Sequence, residues 1–264
     1  MVRKAIYYDG KINISSFLDD RIYKAKPEDY TLLDYDSISS WLDNSKPGDI
    51  LVFGQDVIPY TAYDITPVSS ESKLLKFLNN GGIVVWIGDA PFYYRVRCYD
   101  TKYRDAILDT LEIFKKRVVF TPVPDVYIQK FGPYERDDKV CIMDIIGGFH
   151  IDLEKVSWIS LDYEHLNFLK QSEVCFMGSP VYTTQTLIGK LLGYDGTVTV
   201  RPTKLTTKIF PLTIVKMHGI CSGKYAGSWI ANVGSGYFVR LYDVVDEVNV
   251  IKTFSIAEQL SRLF

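Results

Sequence analysis

The chain has 264 residues, 47% hydrophobic, 14% aromatic and 23% charged, enough to bury a substantial core in one or at most two domains. With 30 Lys+Arg against 32 Asp+Glu the net charge is -2, so no bulk field draws the chain to nucleic acid or to an anionic membrane. The four cysteines lack CxxC spacing, the N-terminus turns polar at Asp9 and Gly10, and no apolar run approaches a membrane span, so the reading is a reducing, cytoplasmic setting without zinc module, disulfide framework or anchor.

In chain order, Ala5 to Tyr8 is a short apolar run stopped by Asp9-Gly10, and Tyr30 to Leu33 is a weaker strand. Ile38, Trp41 and Leu42 take helical spacing after Ser37, which is placed to cap that helix. Ile50 to Phe53 is a strand stopped by Gly54-Gln55-Asp56. Leu74, Leu75 and Leu78 mark a helix after Ser69-Ser70, ended by Gly81-Gly82. Ile83 to Ile87 is β-branched and continuously apolar, the pattern of a strand buried on both faces of a parallel sheet, and it stops at Gly88-Asp89. A further helix is read from Lys102 to Lys116, completing regular βα units over residues 1–116.

Beyond residue 117 the chain reads as β-rich: strands at Arg117 to Phe120, Val140 to Ile146, Val156 to Leu161, Val174 to Met177 and Thr197 to Val200, with one helix from Thr183 to Leu192. Three prolines and the Glu135-Arg136-Asp137-Asp138 turn make residues 121–139 a surface excursion or insertion. The last helix is signalled by a capping box, Ser255 to Glu258, with Phe254 as its staple. No clean linker divides the chain, so residues 1–264 are read as a single domain.

In open α/β sheets ligands bind beyond the carboxyl ends of the strands, where loops converge and helix N-termini point their free N–H groups. That rule nominates Asp9 with Gly10, then Gly54, Gln55 and Asp56, then Gly88, Asp89, Tyr93, Tyr94 and Arg95, a strand end loaded with aromatics that suits a ring or sugar face. Among the aromatics, Tyr7, Tyr8, Phe92, Tyr93 and Tyr94 fall at that edge, whereas Tyr103, Phe114, Phe210, Phe238 and Tyr242 are read as core. Packing of the 88–95 loop against the β-rich half explains the same string.

Other motifs are weaker. Gly219-Ile220-Cys221-Ser222-Gly223 matches a nucleophile elbow, but a loop and strand follow it and the last histidine is His218, so a turn between strands explains it. His150 and Asp152 share a strand face, with His165 near them in sequence, but no further ligand completes a metal site. Asp144 stands in an apolar run, where a carboxylate is paired, functional or at an exposed strand end. No P-loop and no dinucleotide fingerprint is present, so no cofactor and no metal is expected.

Three segments carry a family resemblance: Lys73 to Asp89 (helix, Gly-Gly, buried strand), Gly54-Gln55-Asp56, and Ser228 to Leu241, where a Trp-containing strand turns through Gly-x-Gly. They resemble the class I glutamine amidotransferase-like superfamily, and within it the trehalose-utilisation-type proteins and the trimerisation domain of some β-galactosidases. The resemblance implies a three-layer α/β/α flavodoxin-like sheet with a β-rich C-terminal elaboration. That family's cysteine elbow is replaced here by Ile87-Gly88-Asp89-Ala90-Pro91, and its later His-x-Glu pair is missing. The implied protein has lost the triad and glutaminase activity, with Asp89 near the vestigial catalytic point. The leading expectation is a protein that binds a small molecule or a protein subunit at the sheet's carboxyl edge. The alternatives are a carbohydrate or ester hydrolase using Asp9, Asp56 and Asp89 as acid and base, and a structural assembly subunit, with a homo-oligomer among the forms open to it.

Overall fold

The computed structural model describes residues 2–12, 21–63, 72–88, 91, 94–109, 132–145, 158–160, 173–175, 181–199, 202–205, 207–216, 225–242 and 247–263. It is a mixed α/β protein with several sheets and a β-rich C-terminal half. The first sheet begins with β1 (Lys4–Tyr7), β2 (Thr31–Leu33), β3 (Ile50–Phe53) and β5 (Ile83–Ile87), and is completed by β14 (Ile209–Pro211), β17 (Trp229–Val233) and β18 (Gly236–Leu241). Its order is β14-β17-β18-β5-β3-β1-β2, parallel from β18 to β2 and antiparallel at the β17 and β14 end. Ile50 faces Ile83 and Val52 faces Val85 in register, so two wholly apolar strands form its centre.

Alternation along these strands feeds two cores. Tyr7, Leu51, Phe53, Val84, Trp86 and Phe238 face one side, where α2 (Ser37–Asp43) brings Ile38 and Leu42, and α3 (Lys73–Asn79) brings Leu74, Phe77 and Leu78. Ile6, Ile50, Val52, Ile83, Val85 and Val239 face the other, covered by Val250, Phe254, Ala257 and Leu260 of the C-terminal helix (Glu247–Ser261) and by Ile22 of α1 (Arg21–Lys24).

A second sheet holds β4 (Val57–Pro59), β6 (Tyr94–Asp100), β7 (Tyr134–Arg136) and β8 (Lys139–Ile145) in the order β4-β6-β8-β7. Because β4 follows β3 after only Gly54, Gln55 and Asp56, this sheet stands at the carboxyl ends of the first sheet's strands. The third sheet takes β9 (Trp158–Ser160), β10 (Glu173–Cys175), β11 (Val181–Gln185), β12 (Val198–Thr199), β13 (Thr203–Lys204), β15 (Thr213–Val215) and β16 (Tyr225–Ala226). No helix among the described residues is long and apolar enough to cross a membrane.

Several sequence expectations need correction. The helix read over Thr183 to Leu192 is strand β11 followed by α4 (Leu187–Leu191), because the β-branched run pairs with β15 and Thr186 caps the helix by accepting the Gly189 amide at 3.1 Å. The last helix, α5 (Glu247–Ser261), starts eight residues before the expected capping box, which leaves Ser255 inside the helix, and Phe254 is core, edge-on to Tyr30 at 5.0 Å. Ser72, not Ser69 or Ser70, caps α3, accepting the Leu75 amide. Tyr103 and Phe210, read as core, are about half exposed. Cys98 and Cys141, read as unpaired thiols, face each other across β6 and β8 and form a disulfide, which removes the ground for expecting a reducing compartment. Residues 110–131, His150, Asp152, His165, His218 and Cys221 lie outside the described residues, so the Arg117 to Phe120 strand, the metal reading and the elbow are not addressed.

Candidate functional site

Strands β1 and β3 pair in parallel, and the strands that follow them in the first sheet, β2 and β5, lie on opposite sides of that pair, so loops leave their carboxyl ends in opposite directions. The protein fills the crevice between those ends with its own side chains. Gln55, buried on the β3 loop, accepts the Asp9 amide at 2.9 Å through its side-chain oxygen. Its Nε2 donates to the Asp9 carbonyl at 3.1 Å and to the Ile12 carbonyl at 3.3 Å. Gly54 permits the approach: its amide donates to the Tyr7 carbonyl at 2.9 Å, and a Cβ there would stand 3.1 Å from the Ile6 side chain and 3.3 Å from the Tyr7 carbonyl.

Asp9 is 3% exposed and both its oxygens are engaged. Oδ1 accepts the Lys11 amide at 3.1 Å, while Oδ2 accepts the Tyr35 amide at 3.1 Å and the Arg136 Nε at 2.8 Å. Arg136 comes from β7 of the second sheet with only 3% of its side chain exposed. Its Nη2 reaches Asp34 Oδ2 at 2.6 Å and its Nη1 pairs with Asp36. Lys139 Nζ binds the other Asp36 oxygen at 2.6 Å, and Lys11 pairs with Asp137 on the rim. Asp34 also shapes the start of α2, accepting the Ser37 amide at 2.9 Å while Ser37 Oγ accepts the Asp34 amide at 2.9 Å. The helix start is therefore a reciprocal Asp34–Ser37 pair, not a Ser37 cap.

The electrostatics follow. Burial pushes the Asp34 carboxyl up, but its Ser37 hydrogen bonds and the Arg136 charge outweigh that and hold it below the ordinary carboxylate value. For Asp36 burial again acts upward and is overcome by Lys139 and Arg136, leaving it lowered. Burial works against the Arg136 charge, yet Asp36 and Asp9 over-compensate and fix it as a cation. Tyr7, buried beside Asp9, has its phenol pushed well above the usual range by burial first and the carboxylate second.

The remaining nominated residues are placed apart from this network. Asp56 is buried at the turn into β4. Gly88 ends β5 with φ 113°, its amide donating to the Leu241 carbonyl at 3.0 Å. Tyr94 and Arg95 open β6 and so point to opposite faces of the second sheet. Tyr94 joins the core, while the Arg95 guanidinium lies 5.3 Å from the Tyr60 ring, which Arg97 also covers at 4.0 Å. Asp89 and Tyr93 lie outside the described residues. Among the described residues no cluster of His, Cys, Asp and Glu is arranged to hold a metal.

Sequence reasoning nominated Asp9 and Gln55 in separate clusters, and the structure joins them. It missed Arg136, read as part of a surface turn, although the buried-exposed-buried pattern of Tyr134, Glu135 and Arg136 puts Arg136 on the inner face of its strand. It also missed Arg240, fully buried on β18 with Nη1 3.1 Å from Thr203 Oγ1, and Asp49, whose carboxylate takes Nε and Nη2 of Arg3 at 2.8 and 2.6 Å.

A family model described as the MJECL34 family matches residues 4–116. The chain is similar to "Uncharacterized protein MJECL34" of Methanocaldococcus jannaschii, 32% identical over 100 residues that cover 33% of this chain and 33% of that protein. The chain thus spans a third of the length of the curated relative it matches. Among solved structures, a catalytic mutant of Gan42B, a GH42 beta-galactosidase from G. stearothermophilus, aligns over 100% of this chain and 30% of its own, with a TM-score of 0.45 and 10% identity. A second Gan42B structure aligns at a TM-score of 0.42. Likeness at this level carries no conclusion about fold or chemistry. The family match and the curated relative overturn the amidotransferase-like assignment. The residues behind that resemblance report packing needs: a Cβ at Gly82 would stand 2.5 Å from the Phe77 ring, and Gly54 admits the Ile6 side chain.

Proposed function

We propose that this chain is a binding protein and not a carboxylate hydrolase, and that it takes its ligand at the carboxyl edge of the first sheet on the β5 side, through Gly88, Asp89, Tyr93 and Arg95. The observation that carries this reading is the Asp9–Arg136 pair: both oxygens of a carboxylate only 3% exposed are taken up by Lys11, Tyr35 and Arg136, so neither faces a substrate. Asp9 and Gln55 then serve the binding edge by closing its β1 side. Arg95 and Arg97, over the Tyr60 ring at 5.3 and 4.0 Å, give this edge a cationic and aromatic surface. Asp89 and Tyr93 enter this reading from sequence alone. In its finer form the fold reading is that the parallel strands, in the order β2-β1-β3-β5-β18, make a flavodoxin-like layer between helices.

The test is a thermal-shift screen of anionic metabolites, run beside hydrolysis assays on carbohydrate and ester substrates. The expected result is a saturable rise in melting temperature for one ligand class, lost in Arg95→Ala, with no turnover in the wild type. Turnover abolished by Asp89→Asn with the fold intact would establish the hydrolase instead. An assembly subunit is the second reading, favoured by Leu187 and Leu191, 72% and 77% exposed on α4 beside edge strand β14. It predicts a stable homo-oligomer that Leu191→Glu dissociates.

A further inference from the structure

Arg136 is the plug of the crevice between β1 and β3, and its own seat is narrow. Strand β7 is three residues long and, among the described residues, pairs with β8 alone. Two of the three carboxylate partners of Arg136, Asp34 and Asp36, are 45% and 50% exposed, so water competes for the carboxylate side of those pairs. A buried ion pair repays its desolvation only in good geometry, and that geometry is set here by the strand that carries Arg136.

That geometry is stapled by the Cys98–Cys141 disulfide. Cys141 faces Cys98 on one side and Tyr134 on the other, so the bond ties β6 to the strand on which β7 hangs. The other cysteine of the bond, Cys98, touches the crevice by a second route. The Cys98 amide donates to the Tyr35 hydroxyl at 3.1 Å, and the Tyr35 amide donates to Asp9 Oδ2, the oxygen that Arg136 Nε reaches. The bond also closes a separation of 43 residues, and cutting it returns conformational freedom to that stretch.

We propose that the Cys98–Cys141 disulfide is a redox-operated latch that keeps Arg136 seated on Asp9, Asp34 and Asp36, and that a dithiol reductant unseats it. Cys98 is half-buried and Cys141 is fully buried, so the reductant's thiolate attacks Cys98 Sγ and Cys141 leaves as the thiolate. The reductant's second thiol then displaces Cys98 from the mixed disulfide. Two protons pass from the dithiol to the two cysteines, which end as thiols, and the reductant ends as its own disulfide. Release of Arg136 opens the crevice between β1 and β3 and frees Asp9. The reading of that edge as a binding edge gives the latch its use, but the latch is tested without any ligand, so either claim can fail alone.

The experiment compares hydrogen exchange in the oxidised full chain and in the same chain held in excess dithiothreitol. The amides of Asp9, Lys11 and Tyr35, which donate to Gln55 and Asp9, report the crevice. Those of Ile50 and Ile83, bonded to the Arg3 and Asp49 carbonyls, report the first sheet. Reduction is expected to speed exchange at the crevice amides by about tenfold or more while the sheet amides stay within about twofold. The double variant Cys98→Ser with Cys141→Ser is expected to exchange like the reduced protein and to ignore dithiothreitol. Unchanged crevice protection on reduction overturns the latch and leaves a staple of the second sheet alone. Faster exchange at the sheet amides as well overturns it in favour of a bond that holds the whole fold. Two free thiols at Cys98 and Cys141 in protein purified in air overturn it outright.

Discussion

The side chains that define the carboxyl edge were unequally legible. Asp9 and Gln55 follow apolar runs at strand ends, so a rule about where strands stop finds them. Arg136 sits in a string of charges that reads as a solvated turn, and its burial depends on carboxylates about a hundred residues away in the chain. Arg240 and Asp49 were hidden for the same reason, since a buried charge is recognised by partners that only the fold supplies. The half-exposed rim also sets a pH response. Asp34 and Asp36 titrate below their ordinary value of 3.8 in the fold, so their stabilisation is complete above that pH and is lost as pH falls through the depressed values. Denaturation midpoints should therefore be flat from about pH 7 to about pH 5 and fall below about pH 4. Asp36→Asn should show a smaller acid loss than the wild type. Because both carboxylates are half exposed, each contributes less than about 1 kcal/mol.

Elements were read best where one local signal decides. Strands β3 and β5 are continuous apolar runs, and the pair Gly81 and Gly82 ends α3, with Gly81 at φ 90° and the Gly82 amide donating to the Phe77 carbonyl at 2.9 Å. They were misread where two signals compete. Around Thr183, a helix that does form at Leu187–Leu191 was extended back over β-branched residues that pair with β15. In α5 a capping-box string lies inside a helix that packs Val250 and Phe254 on the sheet. Close packing at the end of α3 gives a prediction at this scale. A methyl at Gly82 would meet the Phe77 ring at 2.5 Å, and Phe77 is enclosed by the core. Gly82→Ala should cost about 1–3 kcal/mol in denaturant unfolding without changing the slope of the transition. A cost below about 0.5 kcal/mol would show that the ring moves aside freely.

Across the molecule, the first half announces itself because each strand-helix unit is local and repeats. The second and third sheets pair strands across long separations, such as β10 with β13 and β11 with β15, and no local periodicity encodes which strand meets which. The location of the second sheet is what changes the function argument. It sets Arg136 into the edge where such sheets bind ligands, which turns Asp9 from a candidate acid or base into half of an internal ion pair. The most direct test is a double-mutant cycle with Asp9→Asn, Arg136→Met and the double variant, read by urea unfolding. Coupling of about 2 kcal/mol or more is expected, with the double variant more stable than the two single losses add up to. Losses that add to within about 0.5 kcal/mol would mean that Arg136 does not neutralise Asp9, and the carboxylate would return as a candidate for catalysis.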